Sequence, residues 1–247
     1  MHRPTLYTCT SELYEFGNLD SYITEYHAVN LDILKNILIA DFQGIDSLII
    51  MSTPGNGGTH LLHGFAKNLS KMKKELYAIS AERLFAEYEL GYTWRLKEIT
   101  ESKHLIIDDY QFFNDKPHFQ TWFHKLIEKR IEENKKLAIS ISTQNSFDPA
   151  LQAIIVGFGI TAKAYSALPS PIYIEKILLN IFERNSFVVS SAVVRYISNL
   201  NIKSAREFQL LANSIMALTE KKKKHLSKMS ERQFIYQFNK QIKQFTK

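Results

Sequence analysis

Hydrophobic positions follow two alternating rhythms along the first two thirds of the chain. Short, nearly unbroken apolar runs at Ser47–Met51, Leu76–Ile79, His104–Ile107 and Leu137–Ser142 predict strands buried on both faces. Between them, apolar residues recur at helical spacing, predicting helices over Asn30–Ala40, Thr59–Leu69, Ala81–Leu90 and Phe119–Glu133. In the first of these, Asn30 can cap, and Leu31, Ile33, Leu34, Ile37 and Leu38 form a broad apolar face. Strand and helix in strict alternation predict an α/β fold, a parallel sheet flanked by helices. Residues 1–18 carry no period and read as irregular.

After Pro169 and Pro171 only the helical rhythm remains. Ile172–Arg184, Ser190–Leu200, Ser204–Leu218 and Ser230–Phe245 are the candidate helices. Ser204-x-x-Glu207 and Ser230-x-x-Gln233 have the capping-box signature. Phe234, Phe238 and Ile242 share one face of the last helix, which should therefore pack. The chain is expected to divide near Ala167–Pro171 into an α/β domain over 1–168 and a small all-helical domain over 169–247.

The chemistry gathers at two strand ends. Thr53-Pro-Gly-Asn-Gly-Gly58 follows the first strand and opens a helix, the setting in which backbone N–H groups cradle phosphate. Gly55, Asn56, Gly57, Gly58, Thr59 and His60 are the candidate nucleotide-binding residues there. Thr59 stands where a magnesium-holding hydroxyl belongs, but the position of the phosphate-binding lysine is Gly58. Lys67 is too far along the helix to replace it. About 50 residues on, Leu105-Ile-Ile-Asp108-Asp109 is a hydrophobic strand ending in two acids. Asp108 suits magnesium or its water, and Asp109 suits polarising an attacking water. Taken singly, the loop could be a plain glycine turn and the acids solvated strand caps. Their joint order and spacing favour a nucleotide site.

These segments resemble the DnaA/Hda family of AAA+ proteins. Gly57-Gly-Thr-His-Leu-Leu-His63 resembles the family's G-K-T-H-L-L-H, and Ser80-Ala-Glu-Arg-Leu84 its S-S-E-R-F. Leu105-Ile-Ile-Asp-Asp-Tyr-Gln-Phe112 resembles L-L-I-D-D-I-Q-F, and Leu19-Asp-Ser-Tyr-Ile23 resembles F-x-x-F-V, a segment near the nucleotide base. Leu137–Thr143 falls at the sensor-1 strand, and Ala205-Arg206-Glu207 resembles the sensor-2 I-R-E. The resemblance runs through residues 16–218. It implies a P-loop AAA+ core followed by a helical lid, ADP or ATP as ligand with Mg2+ accompanying the nucleotide, and Arg206 reaching that nucleotide. A bare first-turn arginine would otherwise read as a surface residue. Ending at 247, where DnaA continues into a DNA-binding domain, the layout is similar to the Hda type. That similarity implies a regulator of chromosomal replication initiation, with DnaA as partner.

Three departures shape the expectation. Gly58 replaces the lysine. Ile154, within Leu151–Gly159, stands at the family's trans-acting arginine, and Lys163 lies on the wrong side of that turn to serve. Thr5-Leu6-Tyr7 is all that matches the Hda-type clamp-binding peptide, so sliding-clamp binding is not expected. The reading is a pseudo-ATPase that acts by protein contact. His60 and His63, three apart on one helix, could pair on a metal, but the family has both without metal, so packing is the expectation. Tyr92, Trp94 and Arg95 fall where DnaA carries an insertion that contacts single-stranded DNA, while a buried aromatic cluster is the plainer expectation for them.

Charge adds an alternative. Residues 220–247 hold nine Lys and Arg against two Glu, while the chain as a whole carries +6. Lys221, Lys222, Lys223, Lys224, Lys228 and Arg232 are dense enough to meet a phosphate backbone, which suggests a DNA-binding accessory protein. A solvated linker is the bland reading. A single cysteine, Cys9, excludes a disulfide framework and suits a reducing cytoplasm. No signal peptide and no apolar run long enough to span a bilayer is visible, so no membrane association is expected.

Overall fold

The computed structural model describes residues 34, 36–37, 40–72, 74–142, 161–166, 170–222 and 226–246, with only the backbone at 161–166 and 221–222. Residues 1–18 with Cys9 and Thr5–Tyr7, Leu19–Ile23, Asn30, Leu31, Ile33 and Leu38, the Leu151–Gly159 segment with Ile154, and Lys223 and Lys224 lie outside these residues. The chain divides into two compact units, Met1–Ser166 and Ala167–Lys247.

The first unit is a five-stranded sheet in the order β2-β3-β4-β1-β5, every pairing parallel. The strands are β1 (Ser47–Ser52), β2 (Leu76–Ser80), β3 (His104–Asp108), β4 (Lys136–Ser142) and β5 (Thr161–Ser166). The apolar runs of β1 and β3 are buried at every position, because helices cover both faces of the sheet. Alternate residues of β1 go to opposite layers. Leu48 and Ile50 pack with Leu61, Leu62 and Phe65 of α1 (Gly58–Lys71), and Leu34, Ile37 and Phe42 complete that layer. Ile49 and Met51 face the other layer, built from α2 (Ala81–Glu89), α3 (Thr93–Glu101), a 3-10 turn (Tyr110–Phe113) and α4 (Pro117–Glu132). That layer is rich in rings; Phe113 and Phe119 have centroids 4.5 Å apart.

Two elements are additional to the sequence expectation. β5 pairs along β1 from Ser47↔Thr161 to Ser52↔Ser166, although Thr-Ala-Lys-Ala-Tyr-Ser carries no apolar run. Backbone pairing to β1 supplies its order. α3 buries only Ile99, too little to register as a periodic stripe.

At the N-terminal ends of β2 and β3, Asp41 gathers two lysines and a histidine whose burial favours the neutral ring. Lys74 donates to it at 3.0 Å and Lys103 at 3.1 Å, and His104 Nε2 lies 3.2 Å away. Partial burial pushes the Asp41 carboxyl up, but the two lysines outweigh it and hold the group at about 2. A carboxylate depressed on folding stabilises above its unfolded value and loses that contribution as pH falls through its folded value. Asp41→Asn should therefore cost about 1–2 kcal/mol at neutral pH after solvent screening. In urea titrations the gap between variant and parent should close between about pH 4 and pH 2. A gap that stays constant across that window would remove the ion cluster as its cause.

Among the described residues the second unit is four helices, α5 (Pro171–Arg184), α6 (Ser191–Ser198), α7 (Ala205–Lys222) and α8 (Glu231–Phe245), with a 3-10 turn at Leu226–Lys228. Its core joins Ile174, Leu178 and Phe182 to Val193, Ile197, Phe208, Leu211, Ile215, Phe234, Phe238 and Ile242. At Ser230 the capping box forms fully: the hydroxyl takes the Gln233 N–H, and the Gln233 side chain accepts from Ser230 N. At Ser204 the exchange is shifted by one residue. Its hydroxyl accepts from Glu207 N at 3.2 Å, while the Glu207 carboxylate takes the N–H of Lys203 at 3.0 Å.

Candidate nucleotide site

β1 and β3 are both parallel strands with β4 between them, so their C-terminal ends open at the same edge of the sheet. The loop after β1 turns sharply. Gly55 has φ +76° and Gly57 +94°, left-handed values that favour glycine. Asn56 is buried, its backbone N–H meets Thr53 O at 3.1 Å and its side chain donates to Thr53 Oγ1, which ties the loop to its own start. Gly57 is the N-cap of α1. No side chain caps that end and no acid lies in its first turn. An uncapped helix start behind two left-handed glycines is a setting for an anion. Gly58 is buried, while Thr59 is exposed and His60 half-buried.

The space beside the lysine position is taken. A Cβ built on Gly58 would lie 2.8 Å from Ser52 Cβ and closer still to Ser52 Oγ. Against the pattern G-x-x-x-x-G-K-[ST], Ser52 stands at the first glycine and Gly58 at the lysine. The two exchanges are complementary in space: a side chain has been added at one end of the motif and removed at the other. Counting five residues back from Gly57 would have found Ser52, but only the fold shows that the two positions touch.

The acids at the end of β3 come to the same place. His63, one turn into α1, puts Nε2 3.3 Å from Asp108 Oδ2, and both residues are buried. That approach is a proximity and not a hydrogen bond, and neither His63 ring nitrogen has a hydrogen-bond partner. Ser140 of β4 donates to Asp108 Oδ1, and the same hydroxyl accepts from Asp109 N at 2.9 Å. Both oxygens of the Asp108 carboxylate thus face protein groups. Asp109 adopts a left-handed conformation at φ 59° and accepts from Gln111 Nε2 at 3.0 Å. The Gln111 carbonyl oxygen accepts from Ser142 N at 2.9 Å, fixing the turn against β4. Burial and then the neighbouring Asp108 push the Asp109 carboxyl above its ordinary range. Ser140 and Gln111 join the candidate site; the sequence carried them only inside the Leu137–Thr143 and Leu105–Phe112 segments and gave neither a role of its own.

The residues present fit half of what a nucleotide with magnesium needs. The loop suits phosphate through its amides. The other half fits poorly, because the lysine position is Gly58, where Ser52 fills the space a Cβ would need, and the Asp108 carboxylate is held by Ser140 with His63 beside it. No group of three or more possible metal-ligating side chains occurs among the described residues, so His60 and His63 gain no third ligand there.

The remaining candidates lie apart from the loop in the sequence. Arg206 is exposed in the first turn of α7 and belongs to the second unit, as do the exposed Lys228 and Arg232. Tyr92 and Trp94 are 45% and 58% exposed, which overturns the buried-cluster expectation. Arg95 lies 4.8 Å over the Trp94 ring and donates to the buried Glu87 at 2.8 Å.

Known proteins agree with this architecture. Domain III of the Thermotoga maritima replication initiation protein DnaA superposes with a TM-score of 0.72 at 18% identity, covering 90% of this chain and 93% of that one. AMPPCP-bound DnaA from Aquifex aeolicus gives 0.67 at 18% identity, covering 84% and 67%. The Thermotoga maritima RuvB Holliday junction branch migration motor gives 0.63 at 16% identity, covering 92% and 80%. At such identities these likenesses establish the AAA+ fold. Comparison with curated protein sequences finds no match. The family profile described as the bacterial DnaA ATPase domain, however, matches residues 27–152, just over half of the chain. With the glycine loop, the paired acids and the sheet order all inside or beside that span, the chain belongs to the bacterial DnaA ATPase-domain family.

Proposed function

We propose that this protein is an Hda-like regulator of chromosomal replication initiation that acts by contact with DnaA in the cytoplasm and does not turn over ATP. The carrying observation is the missing cation at Gly58, with Ser52 filling the space that a side chain there would need. A lysine–phosphate contact is worth roughly 1.5–3 kcal/mol, so its loss weakens nucleotide binding about ten- to a hundredfold. Hydrolysis suffers more, because charge on the transferring group goes unstabilised. ADP or ATP is bound weakly, through the Gly55–Thr59 amides, and Mg2+ enters only with it. The residues 1–168 serve as base and 169–247 as lid. Ile154 at the arginine-finger position removes a contribution of about 10³–10⁵ in rate to a partner's hydrolysis. The contact surface is then retained without the catalytic donation. No helix among the described residues is long and apolar enough to cross a membrane.

The purified chain should release phosphate from ATP no faster than a blank, and should retain DnaA in a pull-down. Turnover of several per minute, or failure to retain DnaA, would sink this reading. A second reading, a nucleic-acid-binding accessory protein, is favoured by the exposed Tyr92 and Trp94 with Arg95 stacked on the indole, since exposed rings beside cations suit unpaired bases. A related DnaA has been described bound to AMPPCP and single-stranded DNA, at 18% identity. The basic segment from Lys221 to Arg232 supports the same reading by charge.

A further inference from the structure

We propose that the outer face of α8 is a second binding surface for single-stranded nucleic acid, built around Tyr236. This extends the second reading to a different unit of the chain and stands or falls separately from Trp94.

Tyr236 is 91% exposed, the most exposed of the large hydrophobic side chains among the described residues. A ring that bare costs apolar burial and wants a reason. Its neighbours supply one. Arg232, Tyr236, Lys240 and Lys243 lie at i, i+4, i+8 and i+11, which at 100° per residue confines them to an arc of about 80°. All four are exposed. No ion pair engages Arg232, Lys240 or Lys243 among the described residues. Phe234, Phe238 and Ile242 occupy the opposite side and bury it in the bundle core, so the helix cannot turn this face inward.

The stripe contains no acid. Glu231, the sole carboxylate on α8, lies toward the buried side near Tyr196, whose hydroxyl is pushed up by burial and then by that carboxylate. Gln233 and Asn239 flank the row, both exposed and able to donate or accept. The cations span about 16 Å of helix with the ring between them. Three unpaired cations meet phosphates, and an aromatic face among them stacks on a base; duplex DNA would offer the charge without the free base. An acidic peptide would use the cations and leave the ring idle.

The test is fluorescence anisotropy of the full chain with a labelled oligo-dT 20-mer across a salt series. Tyr236→Ala should weaken binding by about fivefold to a hundredfold and leave the salt slope unchanged, while Tyr236→Phe keeps the affinity. The triple variant Arg232→Gln, Lys240→Gln, Lys243→Gln should reduce the salt slope by about 2. These positions are exposed, so circular dichroism should show all variants folded. Trp94→Ala and a Lys221–Lys224 glutamine variant run in parallel. Loss confined to either of these, with Tyr236→Ala unchanged, overturns the α8 surface and leaves the broader reading standing. Failure of the parent chain to bind oligo-dT overturns both. Polyglutamate competing as well as unlabelled oligo-dT would assign the face to acidic protein and overturn the proposal.

Discussion

Putting a lysine back at position 58 should fail. Gly58→Lys is expected to destabilise the protein and to leave ATP binding unimproved, whereas Ser52→Gly with Gly58→Lys should bind ATP about ten- to a hundredfold more tightly than the parent. The reason is steric. Any Cβ at 58 meets Ser52 Cβ at 2.8 Å, and Ser52 sits at the buried end of β1, where the backbone is paired on both sides. Overpacking of this kind costs about 1–3 kcal/mol, or roughly 2–4 °C in Tm per kcal/mol for a chain of this size. Gly58→Ala should show the same loss with no charge added, which separates crowding from electrostatics. Ser52→Gly removes the obstructing atoms and makes room. The pair should therefore be strongly non-additive, as expected of residues in contact. Calorimetric binding of ATP and thermal unfolding of the parent, Ser52→Gly, Gly58→Lys, Gly58→Ala and the double variant check it. A stable Gly58→Lys single variant with a tenfold gain in ATP affinity would show that Ser52 yields freely and that the two exchanges are unrelated.

Arg130 offers the largest expected effect on stability. It lies on α4, is 1% exposed, and donates to three backbone carbonyls: Ile99 at 2.9 Å, Lys103 at 3.3 Å and Lys136 at 2.8 Å. Burial draws its guanidinium down to about 10, against the pull of Glu133, so it stays cationic at neutral pH. Ile99 and Lys103 bracket the end of α3, where helix carbonyls carry partial negative charge. Lys135 reaches Thr100 O in the same turn at 2.9 Å. One cation thus ties α3, α4 and β4 together. Arg130→Met keeps volume but strips all three carbonyls of that donor, and should cost about 3–5 kcal/mol. Arg130→Lys keeps the charge without the planar fork and should fall between. Urea unfolding orders the three proteins; a methionine variant as stable as the parent would mean the site is better filled by a hydrophobe.

The parts of the fold legible from the sequence were those written in local chemistry. Ser47-Leu-Ile-Ile-Met51 and Leu105-Ile-Ile need burial on both faces wherever they go, so they read as inner strands without coordinates. Gly55 and Gly57 mark a turn with left-handed torsions, and Gly58 declares its lost lysine by identity alone. Ser230 and Gln233 announced a helix start three residues apart, and the reciprocal bonds are there. All of these depend on neighbours a few residues away.

Tertiary structure decided whatever depends on residues far apart in the chain. Ser140 reaches Asp108 across 32 positions from a neighbouring strand, and His63 lies beside the same carboxylate from α1. Arg130 finds carbonyls up to 31 residues away. β5 is a strand because β1 offers it an edge, and Trp94 and Tyr236 are exposed because of what their helices pack against on the other side. Local propensity extends over one turn or one pleat. Whether a polar group is satisfied, or a ring left bare, depends on which distant segment lies beside it.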